Sequence, residues 1–513
     1  MSDVKGTGGE YRSYLTTATK EAGFTFAGRL LGLAFGFVVQ ATVARLLGAD
    51  ALGVFVLGWV IVMGLGILTT FGFEGSFCRY IAMYVAQGRE DRARTVLSYG
   101  VRFGLLASVA AAVGLVLLRR PVSVALFKEP RLEPVLLVIS LAMVPYTLSR
   151  IYAAALRAVK DMKRSVIASE ISFRVSRLVL FLVLFAAGMR LQGIVTATVL
   201  AYTVSTIVGI VFIRRRAGYL LDRGPAADVP KKEFLGYSGS MLAESTTAFA
   251  LTESGRLFLG FYLSAADVGV YNVVALLASL ATLFTMSFNA IFSPIIADVY
   301  HRGNERLMVS LLDTITRWII LLTLPVLAWF IVAGTGVLSL FGGEFVVGYA
   351  ALVVLTVAQV IDSMSASVSS CLAMTKYQRY NVYNIMAMAA VSVVLNATLI
   401  PRMGILGASV ATATAIVLVN VARLVEGKVL LGIVPYDRST LKVVLTGAVL
   451  LALAVVVKRT VRVPHDWYWS AAVLLSCYGV AALVTLALGV KEEDRTVLAG
   501  VLRRIGRATG RGT

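Results

Sequence analysis

Apolar runs of about 20 residues, each long enough to cross a hydrocarbon core, recur along almost the whole chain. This recurrence restricts the fold more than any other feature, because backbone facing lipid must satisfy its own hydrogen bonds. A helix does so within one segment. Strands would have to close into a barrel, and the alternating pattern of barrel strands is not seen. The predicted fold is an all-α polytopic membrane protein. Of its 513 residues, 58% are hydrophobic and 15% charged, whereas soluble domains are about a quarter charged. The mean hydropathy is +0.84. The gaps between apolar runs leave no room for a soluble domain.

Runs bounded by charge, Gly or Pro predict about fourteen helical spans. After an N-terminal tail at 1–22, the first six lie near 23–46, 52–85, 95–118, 132–158, 164–187 and 191–213, forming an N-lobe over 23–213. A polar, basic linker at 214–233 carries Arg214-Arg215-Arg216 and Lys231-Lys232. The second six lie near 234–263, 268–300, 307–333, 349–374, 380–399 and 405–431, forming a C-lobe over 234–431. Two more, near 440–457 and 468–490, fall within 432–490, and a basic amphipathic tail covers 491–513. Spans 52–85 and 268–300 are too long for a simple crossing, with Gly72 and Gly75 as bend points in the first.

The formal charge of +20 would suggest nucleic acid in a soluble protein. Here most Lys and Arg sit in alternate short loops and in the tails, where they set topology, so no nucleic-acid partner is expected. The basic loops include Arg89/Arg92/Arg94, Arg157/Lys160/Lys163/Arg164, the linker, Arg302/Arg306, Lys376/Arg379 and Lys428/Arg438/Lys442. Exceptions on the opposite side are Arg119-Arg120 and Lys458-Arg459. The expectation is a multi-pass cell-membrane protein with both termini cytoplasmic. The polar start, Met1 to Lys20, lacks the apolar core of a signal peptide. In the tail, Val497, Leu498, Val501, Leu502 and Ile505 share a helical face and Arg503, Arg504 and Arg507 supply positive charge. It either lies on anionic headgroups or frays.

Cys78, Cys371 and Cys477 lie singly in apolar stretches, and His301 and His465 lie in loops. No disulfide framework, metal site or cofactor is indicated. No nucleophile–base constellation or nucleotide-binding glycine loop is found either, so an enzyme is not expected.

The segment Gly48-Ala49-Asp50-Ala51-Leu52-Gly53-Val54-Phe55 resembles Ser264-Ala265-Ala266-Asp267-Val268-Gly269-Val270-Tyr271. Each is followed by a polar loop, Gln87-Gly88-Arg89 and Arg302-Gly303-Asn304 respectively. Further on, Leu191-Gln192-Gly193-Ile194 matches Ile405-Leu406-Gly407-Ala408. The separation stays at about 215 residues, which indicates duplication. Six crossings are an even number, so both copies enter from one side and their pseudo-twofold axis runs along the membrane normal. Two such lobes can rock about a shared cavity, and no selectivity-filter signature argues for a channel.

The segment from Ala44 to Gly53, Ala44-Arg45-Leu46-Leu47-Gly48-Ala49-Asp50-Ala51-Leu52-Gly53, resembles the opening of polysaccharide repeat-unit flippases. The stretch from Asn396 through Pro401, Gly404 and Gly407 to Thr412 resembles their motif between spans eleven and twelve. With the span count, the resemblance covers nearly the whole chain. It implies the multidrug/oligosaccharidyl-lipid/polysaccharide exporter superfamily: two six-helix pseudo-symmetric lobes plus two extra helices, a fold shared with multidrug exporters and lipid II flippases. Arg29, in Gly28-Arg29-Leu30-Leu31-Gly32, matches the basic residue in the first span of lipid II flippases. A second basic residue found slightly later in them is replaced here by Ala34-Phe35-Gly36, which favours a general oligosaccharide flippase. Pro401 is expected to stop one span and Gly404 and Gly407 to allow a tight return, while Ala408, Ala411 and Ala413 permit close packing.

Ionisable groups at bilayer depth cost about 2.5–3.5 kcal/mol on insertion scales and therefore face protein or water. Arg29 lies nine residues beyond Lys20, roughly 13 Å along a helix. Span two carries Glu74 and Arg79; span seven carries Glu244, Glu253 and Arg256. The resemblance places spans one, two, seven and eight around the central cavity. The implied substrate is a polyprenyl-diphosphate-linked oligosaccharide, whose headgroup suits arginine. Arg29 and Arg256, with Arg79, would bind it, while Glu74, Glu244 and Glu253 balance charge or couple cations; the other reading is an intramembrane ion pair, such as Glu253–Arg256, that locks helices. In span five Glu170, Arg174 and Arg177 share a helical face; Glu170/Arg174 and Asp313/Arg317 have the spacing of intrahelical pairs, substrate contacts being the other reading. Asp362 has no local partner in sequence and is a candidate for H+ or Na+ coupling. Two other functions compete. An ion-coupled drug or metabolite exporter of the same fold predicts an acidic cavity. A membrane polymerase or ligase needs an external catalytic loop larger than the segment from Arg119 to Arg131.

Overall fold

The computed structural model describes the backbone at 4–222, 224–301, 305–375, 377–432, 438–461 and 467–488, and side chains from Phe35 onward except for some between 290 and 310, 373 and 378, and 431 and 441. The side chain of Arg29 and the tail expected at 491–513 therefore lie outside the described residues. The described residues are helical for most of their length and include no strand, as the lipid-facing backbone requires. In order, the helices are α1 (Val4–Thr70), α2 (Phe73–Ala86), α3 (Glu90–Arg120), α4 (Leu132–Ile139), α5 (Met143–Ala158), α6 (Met162–Val166), α7 (Ser172–Ala186) and α8 (Leu191–Arg216). There follow α9 (Lys231–Tyr262), α10 (Ala265–Ala278), α11 (Thr282–His301), α12 (Glu305–Ser339), α13 (Tyr349–Met374), α14 (Gln378–Leu431), α15 (Arg438–Thr460) and α16 (Trp467–Leu488).

Among the described residues, ten segments are long and apolar enough to cross a membrane. Two of them, Phe35–Ala86 and Arg379–Leu430, run to 52 residues, roughly 78 Å of helix against a core of about 30 Å. Each is broken by a glycine outside helical geometry, Gly48 (φ 81°, ψ 171°) in α1 and Gly404 (φ 60°, ψ −136°) in α14. Both left-handed φ values suit a residue without a Cβ, and each break supplies a reversal between crossings. Two further stretches, α6 to α7 and α9, are long enough for one crossing each but carry charges within them. The helices thus accommodate the expected set of about fourteen crossings.

The long second span does bend: Phe71 (φ 46°) and Gly72 (φ 69°) separate α1 from α2. The long eighth span is interrupted by a 3-10 turn at Ser279–Ala281. One expectation needs correcting. Pro401 does not stop its span; α14 stays helical through it and breaks only at Gly404. Proline tolerates helical φ, and the break falls where the next residue able to adopt φ > 0 occurs.

Alternate helix ends define a basic end, holding the Gln87–Arg89 loop and the linker, and an opposite end, holding Gly48, the segment from Phe127 to Arg131, and Gly404. Two arginines at the opposite end are paired there: Arg131 Nη2 donates to Asp50 at 2.8 Å and Arg119 faces Glu133 at 3.5 Å. The linker is no free tether. Ala217, Leu220 and Val229 bury themselves on the N-lobe, the Ala227 N–H donates to Thr95 Oγ1 at 3.0 Å, and Arg94 donates to the Pro225 carbonyl at 2.9 Å.

Lipid tails are as apolar as Leu, so helix association in the membrane rests on close packing rather than on water exclusion. The two copies of the repeat meet on that principle. A Cβ on Gly53 would fall 1.6 Å from the Ala265 carbonyl oxygen, and one on Gly269 would fall 2.0 Å from the Ala49 carbonyl oxygen. The contact is reciprocal, as a twofold relation demands. Around it, one continuous core joins Leu52, Val54 and Leu57 of α1 to Val268, Val270 and Val274 of α10 and to Phe341 and Phe345.

Candidate functional site

The seam between the lobes is built mainly from the second half of α1, α2, α9 and α10. At the basic end, Phe73 of α2 stacks on Phe234 of α9 with ring centroids 5.6 Å apart, and the Ser76 and Ser238 hydroxyls lie 2.7 Å apart. The Tyr80 hydroxyl donates to Glu233 at 3.0 Å. At the opposite end, the Ala49 N–H, freed by the break at Gly48, donates to Glu344 Oε1 of the C-lobe at 2.7 Å. Glu344 thereby satisfies a backbone donor that a helix start leaves open.

Glu74 sits in the first turn of α2, where the helix end favours a negative side chain. Its carboxylate accepts from Arg150 Nε at 2.7 Å and from Arg157 Nη2 at 3.4 Å. Arg150 and Arg157 are two turns apart on α5 and share a face. The three side chains are 29%, 44% and 30% exposed respectively, so this triad is not sealed. One carboxylate is divided between two guanidinium groups, leaving a positive surplus. Arg79 does not join it: five residues rotate it about 140° from Glu74. It crosses the seam instead, with its guanidinium 4.7 Å from the centre of the Tyr237 ring on α9 and 5.6 Å from that of Tyr80.

On α9, Arg256 donates from Nη1 to Glu253 at 2.5 Å and from Nε to Asn272 of α10 at 3.1 Å. The expected i, i+3 pair is therefore present, and among the described residues the Arg256 Nη2 has no hydrogen bond. Glu253 is nearly buried, whereas Glu244 is exposed and makes no ion pair among the described residues. Nine residues separate the two glutamates, about 180° around the helix, so they face opposite ways. The candidates thus form separate groups: Glu74 with Arg150 and Arg157, Glu253 with Arg256, Arg79 on its aromatic rings, and Glu244 apart.

Asp362 on α13 accepts from Asn420 Nδ2 and from Arg423 Nη1 of α14, each at 3.2 Å. The pairs Glu170–Arg174 at 2.7 Å and Asp313–Arg317 at 3.1 Å are formed within their helices. Neither Arg150 nor Arg423 is among the site residues that the sequence predicts. Both stand inside apolar runs, which was signal enough to find them, but their partners lie far away in sequence. Arg177 lies 5.0 Å from the Phe173 ring centre, with a buried Nε that has no partner among the described residues. A π-helical turn at Ile167–Ile171 sets the facing of Glu170, Arg174 and Arg177, and such turns recur at functional sites.

None of the curated protein sequences compared matches the chain. A lipid II flippase, MurJ, in an inward closed conformation shares the fold with a TM-score of 0.69 at 11% identity, over 90% of this chain and 97% of that one. An inward-facing multidrug resistance MATE family transporter matches with a TM-score of 0.62 at 15% identity, over 78% of this chain and 94% of that one. A MOP superfamily transporter from Pyrococcus furiosus, described as having a binding pocket of reverse polarity, matches with a TM-score of 0.55 at 14% identity, over 81% and 95%. These likenesses establish the fold. The family model described as "Polysaccharide biosynthesis protein" matches residues 42–349, which takes in both repeat motifs, the seam and the charged groups upon it, and so the chain belongs to the polysaccharide biosynthesis protein family.

Proposed function

We propose that this protein is a flippase that carries a polyprenyl-diphosphate-linked oligosaccharide from the cytoplasmic to the outer leaflet of the cell membrane by alternating access, without catalysing a reaction. The observation that carries this reading is the surplus of guanidinium over carboxylate on α2 and α5, where Glu74 is shared by Arg150 and Arg157 while Arg79, among the described residues, rests on the Tyr80 and Tyr237 rings. A dianionic headgroup is best received by multidentate donors that are oriented in advance. Arg256 fits that description: Glu253 and Asn272 fix its plane and leave Nη2 free among the described residues. In this proposal Arg29, Arg79, Arg150 and Arg256 take successive positions along the diphosphate path. Glu74, Glu244 and Glu253 prevent the empty path from being too strongly positive. The polyprenyl tail stays in lipid.

The basic end faces the cytoplasm in this reading, which puts both termini inside. The reciprocal glycine contact and Glu344 then close the outer side, and rocking of the lobes must part them. Asp362, held by Asn420 and Arg423 rather than by a neighbour in sequence, is the candidate for coupling to H+ or Na+.

The test is reconstitution in liposomes with a fluorescent polyprenyl-diphosphate oligosaccharide, following transbilayer movement with and without ion gradients. Movement is expected for the wild type and lost in Arg150→Gln and Arg256→Gln. Full movement in both variants removes the basic path; transport of cationic drugs in place of the lipid would make the chain a multidrug exporter.

A further inference from the structure

A cavity of about 650 Å³ lies outside the seam, between the first half of α3 and the linker that folds back on it. That volume is within the range of small-molecule sites, about 300–1,000 Å³. Arg94, Ser98, Tyr99 and Arg102 of α3 line one wall and Asp222 lies on the linker side. Lys231 stands 5.2 Å above the Tyr99 ring. Arg94 is held by the Pro225 carbonyl, whereas Arg102 is exposed and makes no hydrogen bond or ion pair among the described residues. Two lining cations, Arg94 and Arg102, against the one lining carboxylate, with Lys231 nearby over Tyr99, leave the cavity positive.

Its depth identifies what can fill it. Arg120 ends α3 at the opposite end, and the eighteen residues back to Arg102 span roughly 27 Å, close to the thickness of a hydrocarbon core of about 30 Å. Arg102 therefore sits at the interface on the basic end. Leu106, Val109, Val113 and Leu117 continue from it along one helical face, and Leu106 and Leu117 are 72% and 73% exposed. The lipid-facing stripe of α3 thus runs directly into the charged cavity.

The geometry points to a binding site for an anionic, two-chain phospholipid of the basic-end leaflet. Its phosphodiester is received by Arg102 and Arg94 with the Ser98 hydroxyl, and its acyl chains follow the stripe. The chains distinguish this ligand from free phosphate, and the charge distinguishes it from a zwitterionic lipid. Because the linker joins the lobes and forms the other wall, an occupied site holds that connection against the N-lobe. The inference concerns a lipid that stays bound and is independent of the transported substrate.

The test uses the full chain in neutral detergent, titrated with dioleoyl phosphatidylglycerol, dioleoyl phosphatidylcholine or inorganic phosphate and read by native mass spectrometry and thermal melting. The wild type should retain one phosphatidylglycerol more than Arg102→Gln, whose apparent affinity at this site falls about tenfold, the order expected for losing one hydrogen bond to a charged group. Ser98→Trp, which fills the cavity but keeps every charge, should lose the same lipid. Neither phosphatidylcholine nor inorganic phosphate should raise the melting temperature as phosphatidylglycerol does. Equal binding of phosphatidylglycerol by wild type and Arg102→Gln overturns the site. Equal stabilisation by phosphatidylcholine overturns its charge selectivity, and equal stabilisation by inorganic phosphate makes it a free-anion site instead.

Discussion

Gly53 and Gly269 face each other across the lobe seam, each with its α-carbon against backbone of the other copy: Gly53 against the Ala265 carbonyl and Gly269 against the Ala49 carbonyl. No side chain fits at either place. Gly53→Ala and Gly269→Ala are each expected to cost about 1–3 kcal/mol through overpacking. Since the first Cβ already parts the helices, the double variant should lose less than the sum of the two. Unfolding in detergent measures this, and simple additivity would show that the two glycines do not share one contact.

Glu344 adds a second tie at the same end, through the Ala49 N–H. Removal of the carboxylate in Glu344→Ala leaves that donor open, at a cost of about 1–3 kcal/mol if it stays dry. The break at Gly48 should then loosen. In a cysteine-free background, Ala51→Cys should react several times faster with an impermeant maleimide when Glu344→Ala is present. Glu344→Gln should stay near the wild-type rate, because an amide oxygen still accepts. Unchanged labelling in Glu344→Ala would remove the tie.

The triad of Glu74, Arg150 and Arg157 separates a stability effect from a transport effect. All three are partly exposed, so each pair contributes no more than about 1 kcal/mol to folding. Arg150→Gln should therefore keep its melting temperature within a few degrees while the flipping rate falls at least tenfold. Arg150→Lys should recover only part of the rate, since an ammonium lacks the planar fork of guanidinium. A rate that follows melting temperature across these variants would reduce the triad to a structural tie.

Asp362 and Arg423 supply a test of coupling. Asp362→Asn retains an oxygen able to accept from Asn420 and Arg423 but removes the charge facing the buried Arg423, so stability should fall by about 1.5–3 kcal/mol. Transport should continue down a substrate gradient but lose its response to an imposed H+ or Na+ gradient. If Asp362→Asn transports with an undiminished response, the coupling group lies elsewhere.

Much of this protein was legible in the chain alone. Apolar run length predicts helices, because in lipid each segment must satisfy its own backbone, and the repeat at Gly48–Phe55 and Ser264–Tyr271 predicts two related lobes. Local ion pairs were equally readable: Glu253–Arg256, Glu170–Arg174 and Asp313–Arg317 are fixed by helical spacing, which sequence separation specifies directly. Tertiary structure decided the rest. It gave Glu74 to Arg150 rather than to Arg79, joined Asp362 to Arg423 across two helices, set Glu344 on the Ala49 amide, and folded the linker over a charged cavity. None of these partners lies within four residues of the other. Helix geometry dictates only near neighbours around one axis, whereas distant pairs depend on how separate helices rotate and approach, and that is settled by the packing of all of them together.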